Sequence, residues 1–283
     1  MNFFTTLSQY SFMQNALIVG LLSSISCGII GTYIVNKKMV FISSSISHAS
    51  FGGIGIGIYI ISIFNLPIKD PLFFGIIFAI ISGILILVLK DHFGIDDDLG
   101  IGVIMSMGMA IGIIFSYITP GYQNDLSTYL FGNILLSNRE NMISLFVLNI
   151  ITIIFFKLFY RGIIYTSFDE NYYSVLGVPS KFINYFMMIL VASTLVINIK
   201  IIGIMLIISI LTIPQAIAGI IVKKYSHIIW FSILFSFIGI FSGLYFSYIW
   251  NIPSGPTIIM ALITIFGIVK LLYYLHIDKN KTS

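Results

Sequence analysis

Hydrophobic residues follow one another along this chain in runs about as long as a membrane is thick. A helix needs about 20 consecutive apolar residues to cross the hydrocarbon core. On that measure the sequence predicts nine candidate spans, at about 14–35, 40–63, 71–89, 99–118, 141–160, 183–199, 201–222, 227–249 and 256–275. The runs lack the apolar–polar alternation of membrane β-barrels. We therefore predict an all-α polytopic membrane protein with eight or nine transmembrane helices.

The basic residues between the spans predict the orientation. If the N-terminus is outside and nine spans alternate, eleven of the 14 Lys and Arg residues lie inside, and only Lys69, Arg139 and Lys200 lie outside. The positive-inside rule favours this arrangement, which places the C-terminus in the cytoplasm. The net charge of +4 then follows from topology, and we expect no nucleic-acid partner.

The amino-acid composition is that of a membrane protein and argues against a soluble domain. The 283 residues are 58% hydrophobic and 8% charged, whereas soluble domains carry roughly a quarter charged residues. The start of the chain has no basic segment or small-residue cleavage site, so we expect no cleaved signal peptide. The single cysteine, Cys27, excludes an internal disulfide. We expect a single transmembrane domain over residues 1–283.

A histidine lies deep in the second span, within the stretch SSSISHASFGGIGIG at 43–57. His48 is about eight residues into the span, which places it ~12 Å deep at 1.5 Å per residue. All ten acidic residues fall outside the predicted spans. An ionisable residue inside a membrane is by default a candidate functional residue. The alternative is that His48 only forms a hydrogen bond across a helix interface.

The neighbours of His48 divide the helix into two edges. Ser44 lies four residues earlier and therefore on the same face. The adjacent edge carries small residues at every fourth position, which allow helices to approach closely: Ser45, Ala49, Gly53 and Gly57. Imidazole is a common ligand of zinc and other transition metals. We predict that His48 contacts a metal ion, with Ser44 and Ser47 as weak additional contacts.

One of the two long connections, at 161–182, is predicted to lie inside. Asp169 and Glu170 begin a short helical pattern, as expected for acids at a helix N-terminus, and Gly177 and Pro179 end it. This segment is either a connector lying on the surface or a docking element for a soluble partner. The sequence contains no G-x-x-x-x-G-K-[ST] motif, so an ATPase that drives this protein would be a separate subunit.

Six segments in order carry a further pattern: NKKMVFISSSISHASFGGIGIG, DDDLGIGVIMSMGMAIGIIFSYITPGY, DLSTYLFGNIL, FDENYYSVLGVP, KIIGIMLIISILTIPQAIA and YIWNIPSGPTI. Over more than two hundred residues they resemble the motifs of one family, the permease subunits of ABC importers for zinc, manganese and iron. Asp98, Phe168 and Gly177 occupy matching positions. Ser44 stands where the family usually has aspartate, and Gln215 where it has alanine.

The resemblance implies a metal importer of the bacterial or archaeal cytoplasmic membrane. Two permease copies in the lipid bilayer would form the path, a solute-binding protein would deliver the metal ion, and two ATP-binding subunits would hydrolyse ATP, so that this chain is not itself an enzyme. Zinc is favoured because imidazole suits it and the usual aspartate is missing; manganese and iron remain possible, and no permanently bound cofactor is implied.

The resemblance also assigns roles to individual residues. The segment at about 166–182 would couple to the ATPase through Asp169, Glu170 and Gly177. His48 carries over as a metal contact. Gln215 is a candidate for the transport path, or else it forms a hydrogen bond between helices.

Two other classes of membrane protein are alternatives to the importer. A secondary transporter driven by an ion gradient could use His48 as a proton relay, although such proteins normally carry more intramembrane acids. A membrane zinc enzyme would need about three protein ligands, and the sequence contains no H-E-x-x-H motif and only one deep histidine.

Overall fold

The computed structural model describes residues 3–67, 70–94, 96–120, 132–168 and 177–281. Within these ranges the chain forms ten α-helices, one 3₁₀ turn at Ile134–Leu136 and no strand. The helices are α1 (Phe3–Gln9), α2 (Ser11–Asn36), α3 (Val40–Phe64), α4 (Leu72–Phe93), α5 (Asp97–Ile118), α6 (Arg139–Phe168), α7 (Ser180–Ile202), α8 (Ile204–Ile221), α9 (Tyr225–Trp250) and α10 (Ser254–Lys281).

In the described part of the chain, nine helices, α2 to α10, are long and apolar enough to cross a membrane. The predicted all-α class is therefore confirmed, and the nine candidate spans of the described chain agree with the higher of the two predicted counts. Helix α1 was not predicted because seven residues are too few for a hydrophobic run. It is held by Phe3, whose ring packs edge-on against Tyr245 and Tyr248 of α9 at centroid distances of 5.2 and 5.6 Å.

The break between α7 and α8 lies later than the sequence suggested. The predicted spans end at 199 and restart at 201, around Lys200, but α7 continues to Ile202 and Gly203 interrupts the helix with φ +82°. Lys200 fits in the last turn of α7, where a cation complements the helix dipole, and it forms an ion pair with Asp70. Asp70 also accepts a hydrogen bond from the Leu72 amide, 3.1 Å away, at the start of α4.

The chain divides into two compact units, and each is described by itself. The first contains α1, α2, the 3₁₀ turn, α6 as far as Ile153, and α8 to α10. Helices α2 and α9 run in opposite directions and touch through glycines: a methyl group at Gly20 would lie 2.8 Å from Ile240, and one at Gly28 would lie 3.0 Å from the Ile233 nitrogen. These contacts leave no room for larger side chains between the two helices.

The second unit contains α3, α4, α5, the part of α6 from Ile154 and α7 as far as Lys200. Helix α3 lies against both α4 and α5. At Lys37, just before α3, the ammonium group donates a hydrogen bond to Asn184 Oδ1 of α7, 2.6 Å away. The second unit therefore holds α3, the helix that carries His48, against α4 and α5, and the residues before α3 against α7.

Candidate functional site

His48 lies on α3, about 12 Å along the helix axis from its first residue, Val40. The side chain is half-buried. Its Nδ1 atom is buried and has no hydrogen-bond partner among the described residues. The imidazole stacks on Phe51 of the same helix, with ring centroids 6.4 Å apart. His48 Nδ1 therefore forms no hydrogen bond within the described chain. A nitrogen that binds a metal ion must have no such bond.

The two serines predicted beside His48 differ in their surroundings. Ser44 is half-buried like His48, and the spacing of four residues puts both on the same helix face. Ser47 is fully buried and donates its hydroxyl proton to the Ser43 carbonyl, 2.7 Å away. The Ser47 hydroxyl is therefore already bonded within the helix. Of the two, Ser44 is better placed to accompany His48.

The small-residue edge of α3 packs closely, as the sequence predicted. It does so against two different helices. The Ser45 hydroxyl donates to the Ile101 carbonyl of α5 at 2.8 Å, and Ala49 lies against Gly108 of α5. Farther along, Gly53 and Gly57 lie against Phe74 of α4. The sequence did not predict the hydrogen bond of Ser45, because a serine in a stripe of small residues is expected only to leave room for the neighbouring helix.

Metal-ligating residues are sparse in the rest of the described chain. No group of three or more His, Cys, Asp or Glu side chains that could hold a metal ion occurs among the described residues. Cys27 is fully buried in α2 as a free thiol. A site at His48 built from this chain alone would thus offer one imidazole and serine oxygens, a donor set suited to weak and brief binding.

Gln215 lies in α8 and is almost fully buried. Its Nε2 donates a hydrogen bond to the Cys27 carbonyl of α2, 2.9 Å away, so the hydrogen bond between helices that the sequence allowed is present. Its Oε1 is buried without a partner among the described residues. Pro214, directly before it, has no N–H to donate within α8.

The predicted coupling segment is described only in part. Asp169 and Glu170 lie outside the described residues. Gly177, at the end of the segment, is described and has φ +81°, a conformation that residues with a side chain rarely adopt. An added methyl group there would meet nothing within 4 Å, so backbone conformation and not space requires the glycine.

Comparison with known proteins defines the family. The sequence model of the ABC 3 transport family matches residues 9–273. An uncharacterized membrane protein of Synechocystis sp. is 36% identical over 253 residues, 89% of this chain and 88% of that protein. The manganese transport system membrane protein MntC of Listeria monocytogenes is 32% identical over 271 residues, 96% of this chain and 94% of that protein.

A solved structure supports the same family assignment. PsaBC from Streptococcus pneumoniae, in complex with Fab, matches with a TM-score of 0.81 and 28% sequence identity, over 94% of each chain. This chain belongs to the ABC 3 transport family and is a multi-pass membrane protein. The family resemblance that the six sequence segments predicted is confirmed.

Proposed function

We propose that this protein is the permease subunit of an ABC importer that carries a divalent transition-metal ion across the cytoplasmic membrane. The observation that carries the proposal is His48, half-buried in a spanning helix with a buried Nδ1 that has no partner among the described residues. Family membership supports it, and so do the names of relatives such as the Listeria manganese transport protein. We propose that both units belong to one permease domain.

The proposed complex contains further subunits. A separate ATP-binding subunit is proposed because the sequence has no phosphate-binding loop. A solute-binding protein would deliver the metal on the outer side, and two permease copies would form the path. The distribution of Lys and Arg supports an outer N-terminus and a cytoplasmic C-terminus. In this arrangement the free energy of ATP hydrolysis, and not an ion gradient, drives uptake.

Two observations bear on the identity of the metal, and they point in opposite directions. Relatives named for manganese transport cover almost the whole chain. The donor set at His48 is nitrogen-based, because Ser44 replaces the usual aspartate, and imidazole suits zinc whereas carboxylates suit manganese. We propose manganese as the cargo to test first, with zinc as the competitor that the donor set favours.

Replacing Ser44 with aspartate is expected to shift selectivity towards manganese. The new carboxylate would lie one helical turn from His48 on the same face, and hard oxygen ligands suit Mn²⁺. Uptake of Mn²⁺ into proteoliposomes containing the complete transporter, with Zn²⁺ as competitor, measures the effect. We expect the KM for Mn²⁺ to fall severalfold.

Ser44→Asn is the matched control, since it has nearly the same shape without the charge and should leave the KM unchanged. Equal responses of the two variants would show that Ser44 does not face the metal. Uptake that needs an ion gradient but no ATP would instead favour the secondary transporter.

We further propose that the segment before Gly177 couples the permease to the ATPase. Gly177→Val is expected to reshape the end of the segment, because a β-branched residue does not tolerate the observed φ of +81°. Metal uptake per ATP hydrolysed should fall severalfold while the ATPase stays active. Gly267→Val is the control. A methyl group added at Gly267 also meets nothing within 4 Å, but the backbone there is helical. Normal coupling in Gly177→Val would remove this proposal.

A further inference from the structure

A cavity of about 490 Å³ lies within the second unit, between the second half of α6 and the start of α7. Two cations, Lys157 and Arg161, line it. Tyrosines Tyr160 and Tyr165 line it as well, and the remaining described lining is apolar or glycine, with no acidic side chain among it. No ion pair involves Lys157 or Arg161 within the described chain. The charged side chains of the described lining are therefore both cations.

The position of the cavity along α6 places it at a membrane boundary. Helix α6 has 30 residues and is ~45 Å long, whereas the hydrocarbon core is ~30 Å thick. A span that begins near Arg139 therefore leaves the hydrocarbon after about 20 residues, close to Lys157. Lys157 and Arg161 are four residues apart, and both line the cavity. Tyrosine side chains are enriched at the headgroup level of a membrane, just outside the hydrocarbon.

Aromatic rings pack between α6 and α7, and one of them, Phe159, lines the cavity. Phe155 stacks on Phe186 of α7 with centroids 4.1 Å apart, and Phe159 lies 5.8 Å from Phe182. Phe159 also interrupts the helical geometry of α6, with φ −109° and ψ 18°, between Lys157 and Arg161. The kink lies in a stretch without proline. The cavity is thus bounded by packed side chains of two helices within one unit.

We propose that this cavity binds the headgroup of an anionic phospholipid of the phosphatidylglycerol type, from the leaflet that the charge distribution assigns to the cytoplasm. The two cations attract the single negative charge of the phosphodiester, and basic pockets between helices on the cytoplasmic side of a membrane are suited to such headgroups. The apolar lining accommodates the start of the acyl chains. The inference rests on the proposed orientation and does not depend on the metal cargo.

The second unit has another charged cavity, and its chemistry differs. It lies between α3, α4, α5 and α7, and both signs of charge line it: Lys38, Lys90, Lys181, Asp91, Asp96 and Asp98 are among its residues. Aspartates would repel a phosphate. This contrast is why the cavity at Lys157 and Arg161 is assigned to an anionic lipid and the other is not.

Native mass spectrometry of the full chain in detergent tests the proposal. The purified, delipidated protein is titrated with phosphatidylglycerol and, separately, with phosphatidylcholine of the same acyl chains. We expect phosphatidylglycerol to bind clearly more tightly. In the double variant Lys157→Gln, Arg161→Gln its affinity should fall roughly 20- to 30-fold, since each cation near an anionic surface contributes about fivefold.

The double variant Lys223→Gln, Lys224→Gln removes another exposed pair of cations and should bind within about threefold of the unmodified chain. The proposal is overturned if phosphatidylcholine binds as tightly as phosphatidylglycerol, or if the Lys157 and Arg161 variant retains full affinity. Displacement of the lipid by millimolar inorganic phosphate would overturn the lipid as the source of the phosphate. The comparison of the two lipids on the unmodified chain decides the question even if the variant does not fold.

Discussion

Replacing His48 with alanine is expected to reduce metal uptake to background while the protein still reaches the membrane and assembles with its partners. Loss of the proposed ligand should cost at least about tenfold in uptake, because even residues that only support metal ligands cost 10- to 100-fold when removed. The fold should tolerate the change, since the imidazole is half-buried and its Nδ1 bonds nothing in the described chain. Uptake of radioactive or fluorescently detected metal into proteoliposomes is the measurement.

His92→Ala provides the matched control. His92 is exposed in the last turn of α4 and is not part of the proposed path, so its removal should leave uptake unchanged. His48→Gln adds a graded test, because glutamine preserves polarity and approximate size but is a poorer transition-metal ligand. Uptake at the normal rate in both His48 variants would remove this residue from the mechanism.

The second large effect is expected at Gly108 of α5. A methyl group there would lie 2.9 Å from the Ala49 Cβ, and nearer still to the Ala49 Cα, so α3 and α5 would have to separate. Overpacking of this kind typically costs about 1–3 kcal/mol, and Gly108→Leu should cost more than Gly108→Ala. Thermal unfolding of the purified protein in detergent should show a lower midpoint for both variants.

Gly102, on the same helix, offers a direct comparison. A methyl group at Gly102 meets nothing within 4 Å, and alanine is favoured over glycine in helices by up to about 1 kcal/mol. Gly102→Ala should therefore leave the midpoint unchanged or raise it. Equal midpoints for Gly102→Ala and Gly108→Ala would show that α3 and α5 do not pack as described.

The spans could be predicted because membranes impose a simple rule. A backbone in hydrocarbon must satisfy its own hydrogen bonds, so a long apolar run can only be a helix. The rule says less about where helices end. Lys200 looked like a loop residue, yet its charge is accommodated by Asp70 and the end of α7, and Gly203 makes the turn.

The candidate site was predictable only along its own helix. The spacing of Ser44 and His48 fixes their shared face, and the small residues fix an edge for close packing. Which helix each small residue meets could not be predicted, because Ala49 meets α5 while Gly53, one turn later, meets α4. The partner of Gln215 was equally hidden, since a backbone carbonyl such as that of Cys27 leaves no trace in sequence.

The hydrogen bond from Lys37 to Asn184 gives the second unit a mechanical connection. Asn184 is in the first turns of α7, seven residues after Gly177, and Lys37 precedes α3, eleven residues before His48. A movement of the beginning of α7 would therefore be transmitted through this hydrogen bond to Lys37, directly before α3. A displacement near Gly177 thus has a short route to the histidine, through the hydrogen bond between Asn184 and Lys37, the turn at 37–39 and about two turns of α3.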